Sequence, residues 1–245
     1  EAECRYVAME STGIYWQPIY EMLEPCFDGQ ISILVVNARH MKNVPGRKTD
    51  MRDAQWIATL LRAGLLKGSF IPDKTFRELR HLTRYRKSIV RDITAQKNRI
   101  DKFLQSSGFR FTAFLSDAFG ASGRNIIRHL MEYGNISREA LDRCLKTQTR
   151  KRIDEILIAL NGSLSEHQRG FLRMIFGHLE ALEQHRHTVE DAITKEITKH
   201  EEALSLLCSI PGIDVTAAAA IIAEIGTDMS AFPDSQHICL SLIHI

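Results

Sequence analysis

ISILVVNARHMKNVPGRKTDMRDAQWIATLLRAGLL, Ile31–Leu66, decides the fold. Its first seven residues, Ile31–Asn37, are a near-continuous apolar run rich in β-branched side chains. That is the pattern of a strand buried on both faces in an α/β layer. A loop with a Pro-Gly turn and the cations Arg39, Lys42, Arg47 and Lys48 follows. From about Thr49 to Leu66 the apolar positions Ile57, Leu60, Leu61 and Leu65 share one helical face. Upstream, CRYVAMEST reads as a short buried strand ending at Glu10. Ile14, Ile19 and Leu23 then space a helix that Pro25 closes. Strand, helix, strand, helix is the order of a layered α/β domain.

Downstream the period changes to all-helical. From about Thr75 to Leu104 a single long helix carries Leu82, Ile89, Ile93, Ile100 and Phe103 on one stripe, with Lys and Arg on its other faces. A second long helix, from Phe171 to about His200, places Leu172, Ile175, Leu179, Leu182, Val189, Ile193 and Ile197 at alternating steps of three and four, broken once by Arg186. This is coiled-coil character over barely three heptads, and it suits intramolecular packing as well as dimerisation. Between them, SGRNIIRHLMEYG and REALDRCL read as shorter helices. LLCSIPGIDVTAAAAIIAEIG, Leu206–Gly226, has the form of a helix-hairpin-helix unit. Its glycine turn around Gly212 and the following helix N-terminus could hold a phosphate. Asp214, where such turns usually have a second glycine, weakens that argument, and a plain αα-corner is the alternative.

The charge is unevenly spread. The net charge of the 245 residues is +2, but Arg39–Lys102 holds 17 Lys/Arg against 6 Asp/Glu, a net +11, and the remainder is −9. A concentrated positive block suits a polyanion, most simply nucleic acid. No apolar run approaches the roughly 18 residues needed to cross a bilayer, and the opening residues give no expectation of a signal peptide. A soluble, cytoplasmic protein without a membrane partner is expected. The five cysteines are scattered and form no CxxC pair, so neither a disulfide framework nor a zinc site is expected. The ten histidines scatter too; His185 and His187, two apart, diverge on a helix.

Asp50 and Asp53 stand one helical turn apart at the start of a helix, inside the basic stretch. On one face their Cβ atoms are about 5–6 Å apart and their charges repel unless a cation sits between them. Acids favour helix N-termini, which accounts for one of them well and for the pair less well. Glu10 ends a strand next to Ser11 and Thr12, and open α/β sheets collect their sites at such strand ends. Three carboxylates so placed could bind Mg²⁺, a hard cation with oxygen ligands, and metal ions of this kind serve phosphodiester chemistry.

The stretches AMESTGIYW, VVNARHMKNVPGRKTDMRDAQWIATLLRAGLL, SFIP…RELRHLTRYRKSIV and IPGIDVTAAAAIIAEIGTDMSAFP together resemble the DEDD transposases of insertion sequences, a group related to the Piv/MooV invertases. The resemblance implies an N-terminal RNase H-like (RuvC-like) domain with four acids. Glu10, Asp50 and Asp53 match the second, third and fourth, as catalytic residues and Mg²⁺ ligands. It implies a helical, partly coiled-coil region for assembly and a C-terminal transposase domain that begins helix-hairpin-helix-like and later supplies a serine nucleophile. It also implies DNA ends and target as partners, a structured guide RNA, and dimers that join into tetramers.

On this resemblance the chain is an N-terminally truncated α/β domain joined to an all-α region. Residues 1–74 would be a partial RuvC-like domain and 75–105 a basic helix completing it. Residues 106–200 would be a helical linker, and 201–239 the start of the C-terminal domain. On the same resemblance the first aspartate of the four and the serine segment are expected to lie outside the given sequence. LSLIHI, Leu240–Ile245, resembles a translated sequencing adapter, so Ser241 is not read as the nucleophile. Nucleic-acid contacts are expected from Arg39, Lys42, Arg47 and Lys48 in the loop, from Arg80, Arg84, Arg86, Lys87 and Arg91 on the long helix, and from Gly212. The function expected is a transposase or site-specific DNA recombinase guided by RNA, inactive as this fragment alone. The rivals are a metal-dependent junction nuclease and a non-catalytic nucleic-acid-binding remnant.

Overall fold

The structure, a computed structural model, describes residues 4–27, 31–37, 50–232, 234–236 and 238, leaving out the side chains of residues 26, 27 and 50–52. The loop cations Arg39, Lys42, Arg47 and Lys48 and residues 240–245 lie outside the described residues. The fold divides into two compact units, residues 1–76 with 224–245, and residues 77–223.

The first unit holds the α/β part. Strand β1 (Tyr6–Glu10) pairs in parallel with β2 (Ser32–Val36), in a register that sets Tyr6 against Ser32 and Glu10 against Val36. A parallel pair needs a crossover, and helix α1 (Trp16–Phe27) supplies it. Beyond β2, Val36 bridges Gly68 in antiparallel fashion, and Ser69 N–H donates to the Val35 carbonyl at 2.7 Å. Strand β2 therefore has neighbours on both edges. Only Val35 and Val36 are buried in β2, and β1 is half-buried apart from exposed Tyr6. Neither strand is buried along its length, as the apolar runs had suggested. Among the described residues the sheet has two strands.

Pro25 does not end α1; it lies inside the helix, whose last described residue is Phe27. A proline removes one donor and crowds the carbonyl four residues back. In the final turn that loss is confined to one hydrogen bond, so the helix continues to Phe27. Helix α2 (Asp50–Arg62) ends four residues before the expected Leu66. Gly64 has φ +68°, with Gly64 N–H donating to Leu61 O and Leu65 N–H to Leu60 O, both at 3.0 Å. These two bonds form the left-handed closure of a Schellman motif. Leu65 consequently leaves the apolar stripe and is exposed, whereas Leu60 is buried.

The second unit is helical. Helix α3 (Lys74–Ser106) spans the long basic stretch much as expected. After a 3-10 turn (Phe111–Phe114) come α4 (Ala121–Tyr133), α5 (Arg138–Cys144), the single turn α6 (Thr147–Arg150) and α7 (Ile153–Ala159). Helix α8 runs from Glu166 to Ile197, five residues earlier in onset than the apolar steps alone indicated. Its start is fixed by a capping box: Ser165 Oγ accepts from Gln168 N–H at 3.2 Å and Gln168 Oε1 from Ser165 N–H at 2.9 Å. A 3-10 turn (Thr198–His200), α9 (Glu201–Cys208) and α10 (Val215–Ile225) follow.

Helices α3 and α8 lie antiparallel. Arg86 meets Glu190, Lys97 lies 4.0 Å from Glu183, and the rings of Phe103 and Phe171 are 5.1 Å apart. Helix α4 packs on α8, with Arg124 bonding both oxygens of Glu183 at 2.6 and 2.8 Å. Ile89, Ile93, Ile100, Leu104, Ile127, Leu130, Leu172, Phe176 and Leu179 are buried in this layer. The two long apolar stripes thus pack within one chain. Leu104, rather than Phe103, is the fully buried residue at the end of the α3 stripe.

Candidate catalytic carboxylates and nucleic-acid interface

The backbone fixes Glu10 firmly. It pairs with Val36, and one residue on, Ser11 N–H still donates to Val36 O at 2.9 Å. The carboxylate therefore leaves the sheet at the C-terminal end of a parallel strand, where the ladder stops. Helix α2 packs against β1. On α2, Asp53 precedes Trp56, Ile57, Leu60 and Leu61 by three, four, seven and eight residues, which is the spacing of one helical face. All five are half-buried or buried, while Ala54, Gln55, Ala58 and Thr59 are exposed. Asp53 is thus on the inward stripe of α2, the side that covers the sheet.

Glu10 and Asp53 are both half-buried, and among the described residues neither side chain has a hydrogen-bond or ion-pair partner. Carboxylate oxygens are the hard ligands that a divalent cation such as Mg²⁺ takes. Asp50 is the first residue of α2, three before Asp53, and its side chain lies outside the described residues. Among the described residues no cluster of three or more His, Cys, Asp or Glu side chains is placed to hold a metal ion.

The five cations expected on α3 have different surroundings. Arg86 donates to Glu190 of α8, and Arg80 Nε donates to the Ala223 carbonyl at 3.3 Å. Both guanidinium groups therefore serve the packing of the helical unit. Arg84, Lys87 and Arg91 are exposed. With Asn98 and Lys102, also exposed, they run along the face of α3 opposite Ile89, Ile93 and Ile100. That line covers about 27 Å at 1.5 Å per residue, and no acidic residue falls on it. Lys102 was missing from the expectation, although its spacing of eleven residues from Arg91 places it on the same face.

In the α9–α10 corner Gly212 has φ +90° and is exposed. The expectation that this turn leaves a helix N-terminus open for a phosphate meets a local correction. Asp214 Oδ1 accepts from Ala217 N–H at 2.7 Å, so the chain's own carboxylate caps α10. An approaching anion meets that negative charge first. Three thiols are described and free: Cys4 is exposed, and Cys144 and Cys208 are half-buried. His185 and His187 are exposed on α8. Among the described residues no helix is long and apolar enough to cross a membrane.

A strand-end glutamate, an inward aspartate on the adjoining helix and a cationic helix face are features of proteins that handle nucleic-acid phosphates. Comparison with known families agrees. Residues 1–108 match the DEDD_Tnp_IS110 transposase model, and residues 204–241 match the transposase IS116/IS110/IS902 family model. The two matches together cover more than half of the chain. The chain belongs to the IS110-type transposase family. No curated protein matches its sequence.

Proposed function

We propose that the protein is a site-specific DNA recombinase of an insertion sequence, acting on element ends and target DNA with a structured RNA as guide. The observation that carries this is the packing of α2 on β1, with Glu10 and Asp53 half-buried and without a partner among the described residues. In this reading residues 1–74 form an RNase H-like (RuvC-like) catalytic domain, with helix 75–105 as its continuation. The segment 201–239 opens a helix-hairpin-helix-like domain.

Glu10 and Asp53, with Asp50 beside them in sequence, would hold Mg²⁺ through carboxylate oxygens. When bound, the ion supplies Lewis-acid polarisation of a phosphodiester. The chain's own part is to fix the oxygens: the β1–β2 ladder sets Glu10, and the packed stripe of α2 sets Asp53. Exposed Lys87, Arg91 and Lys102 hold phosphates by charge, together with Arg84 and the loop cations Arg39, Lys42, Arg47 and Lys48. Gly212 contributes backbone at the α9–α10 corner, with Asp214 limiting the charge it tolerates. Because the long stripes of α3 and α8 are spent inside one chain, dimers and tetramers would assemble through other surfaces.

The test is Mn²⁺ binding, read by electron paramagnetic resonance on the chain and on Glu10→Gln and Asp53→Asn. Each substitution is expected to weaken binding at least tenfold while the far-ultraviolet circular dichroism stays that of the parent. Equal Mn²⁺ affinity in all three proteins would overturn the carboxylate assignment.

A further inference from the structure

The helical unit has a cleft that the carboxylates and the cationic face of α3 do not use. It lies between α4 and α5 as a wide, solvent-open depression of about 690 Å³, room for one nucleotide-sized group on its surface. One wall is the face of α4 bearing Asn125, His129, Glu132 and Tyr133, spaced by three and four residues. The other is the face of α5 with Ala140, Arg143 and Cys144.

The lining is chemically mixed. The His129 and Tyr133 rings lie 4.6 Å apart, tilted by 36°, and form an aromatic platform. Tyr133 is 59% exposed, so its ring is available for stacking. Ala140 and Cys144 give an apolar floor. Asn125 uses its amide N–H on the Cys144 carbonyl at 3.4 Å, which leaves its side-chain oxygen as an acceptor. Arg143 brings a cation to the rim, and Asn135 a further amide. Glu132 also lines the cleft and accepts a hydrogen bond from the Tyr133 hydroxyl, so an anion is tolerated only on the Arg143 side. A flat aromatic ligand with hydrogen-bonding edges and one anion directed to Arg143 matches this set.

We propose that the α4–α5 cleft receives an unpaired nucleotide, its base stacked on Tyr133 and His129 and its phosphate held by Arg143. This inference rests on the reading of the chain as a nucleic-acid-handling protein. Stacking on an aromatic face is tolerant of base identity and needs a base that is free of its partner. A fully paired duplex cannot insert one. RNA loops and displaced DNA strands both offer such bases, and the cleft chemistry is the same for either.

The test uses the whole chain and three fluorescein-labelled probes: a 12-nucleotide single-stranded RNA, the DNA of the same sequence, and the blunt duplex of that DNA. Anisotropy gives each affinity. Tyr133→Ala is expected to weaken binding of one or both single strands about tenfold, with duplex binding unchanged and Tyr133→Phe close to the parent. Which single strand responds identifies the source. With 5-iodouracil in the responding probe, photo-crosslinking is expected at a peptide containing Tyr133. If the probes bind the parent and Tyr133→Ala binds all three as tightly, the cleft proposal fails and the wider reading stands. If none of the probes binds the parent, both fail.

Discussion

Arg86 reaches Glu190 with two nitrogens, Nε and Nη2, each 2.8 Å from the same carboxylate oxygen. Both side chains are about one quarter to one third exposed. Glu190 also has Arg186 and His187 at 3.7 Å. Arg86 therefore joins α3 to α8 from a position between Leu82 and Ile89 on the inward stripe. Arg86→Gln should cost about 1 kcal/mol of stability, read as a lower urea midpoint, and should leave nucleic-acid affinity unchanged. A loss of affinity equal to that of an exposed cation would place Arg86 at the interface instead.

Lys87 and Arg91 should behave in the opposite way. Both are exposed on the cationic line of α3. Lys87→Gln and Arg91→Gln should leave the urea midpoint within about 0.5 kcal/mol of the parent. Each should reduce the slope of log affinity against log salt by about 1, whatever the probe sequence. An unchanged slope in the double variant would remove this face from the interface.

The sequence carried more of the helical unit than of the sheet. Long amphipathic periods made α3 and α8 legible over most of their lengths, because burial of one face is what holds such helices. Their ends were harder to read. The onset of α8 depends on Ser165 and Gln168, a polar pair lying before the apolar steps begin. The end of α2 depends on the left-handed backbone at Gly64, while Leu65 continues the apolar spacing beyond it. Glu10 was locatable because a short apolar segment, Tyr6–Met9, stops there, and Asp53 because it stands one turn after Asp50 at the start of a helix. The split among Arg80, Arg86, Lys87 and Arg91 was not legible. Charge marks all four alike, and only tertiary partners such as Glu190 and the Ala223 carbonyl separate them. The α4–α5 cleft was invisible for a related reason: it exists only once these two successive helices have packed on each other.

Asp214 should contribute stability as a cap. Its Oδ1 accepts the Ala217 N–H, and its backbone carbonyl accepts from Ala218 N–H at 2.9 Å. Asp214→Ala should cost about 1 kcal/mol. Asp214→Asn keeps an acceptor oxygen and removes the charge, so it should retain most of that stability and raise affinity for DNA. Thermal melts and anisotropy separate the two effects. A destabilisation by Asn as large as that by Ala would show that the charge, rather than the hydrogen bond, does the capping.

Among the described glycines, Gly123 is the one least able to accept a side chain. A Cβ placed there would stand 1.9 Å from the carbonyl oxygen of Ala118 and 2.6 Å from its carbonyl carbon. Both are backbone atoms and cannot rotate away. The α4 segment around Gly123 is buried, with Ser122 Oγ accepting from Lys146 N–H at 3.1 Å. Gly123→Ala therefore forces α4 away from the preceding turn and should cost upwards of about 3 kcal/mol. Gly170→Ala, where no atom lies within 4 Å of the added carbon, should be neutral or slightly stabilising. Equal urea midpoints for the two variants would contradict this packing.

His129 should make stability rise with pH through the weakly acidic range. Partial burial holds its pKa below the ordinary histidine value; Glu132 opposes that shift and Arg143 adds to it. The unfolded chain, with an ordinary pKa of about 6.5, then binds more protons than the folded one between the two values. Stability is fully present above the unfolded pKa and is lost as pH falls through the folded one. The exposed carboxylates Glu139, Asp154, Glu196 and Asp228, all held below their ordinary values by hydrogen bonds, act in the same direction but only at more acidic pH. Urea denaturation at pH 5.5 and 7.5 should therefore show a higher midpoint at pH 7.5, and His129→Gln should narrow that difference. A histidine Cε1 titration by nuclear magnetic resonance, assigned through the same variant, checks the cause directly. A His129 pKa above that of the unfolded chain would reverse the sign and remove burial as its explanation.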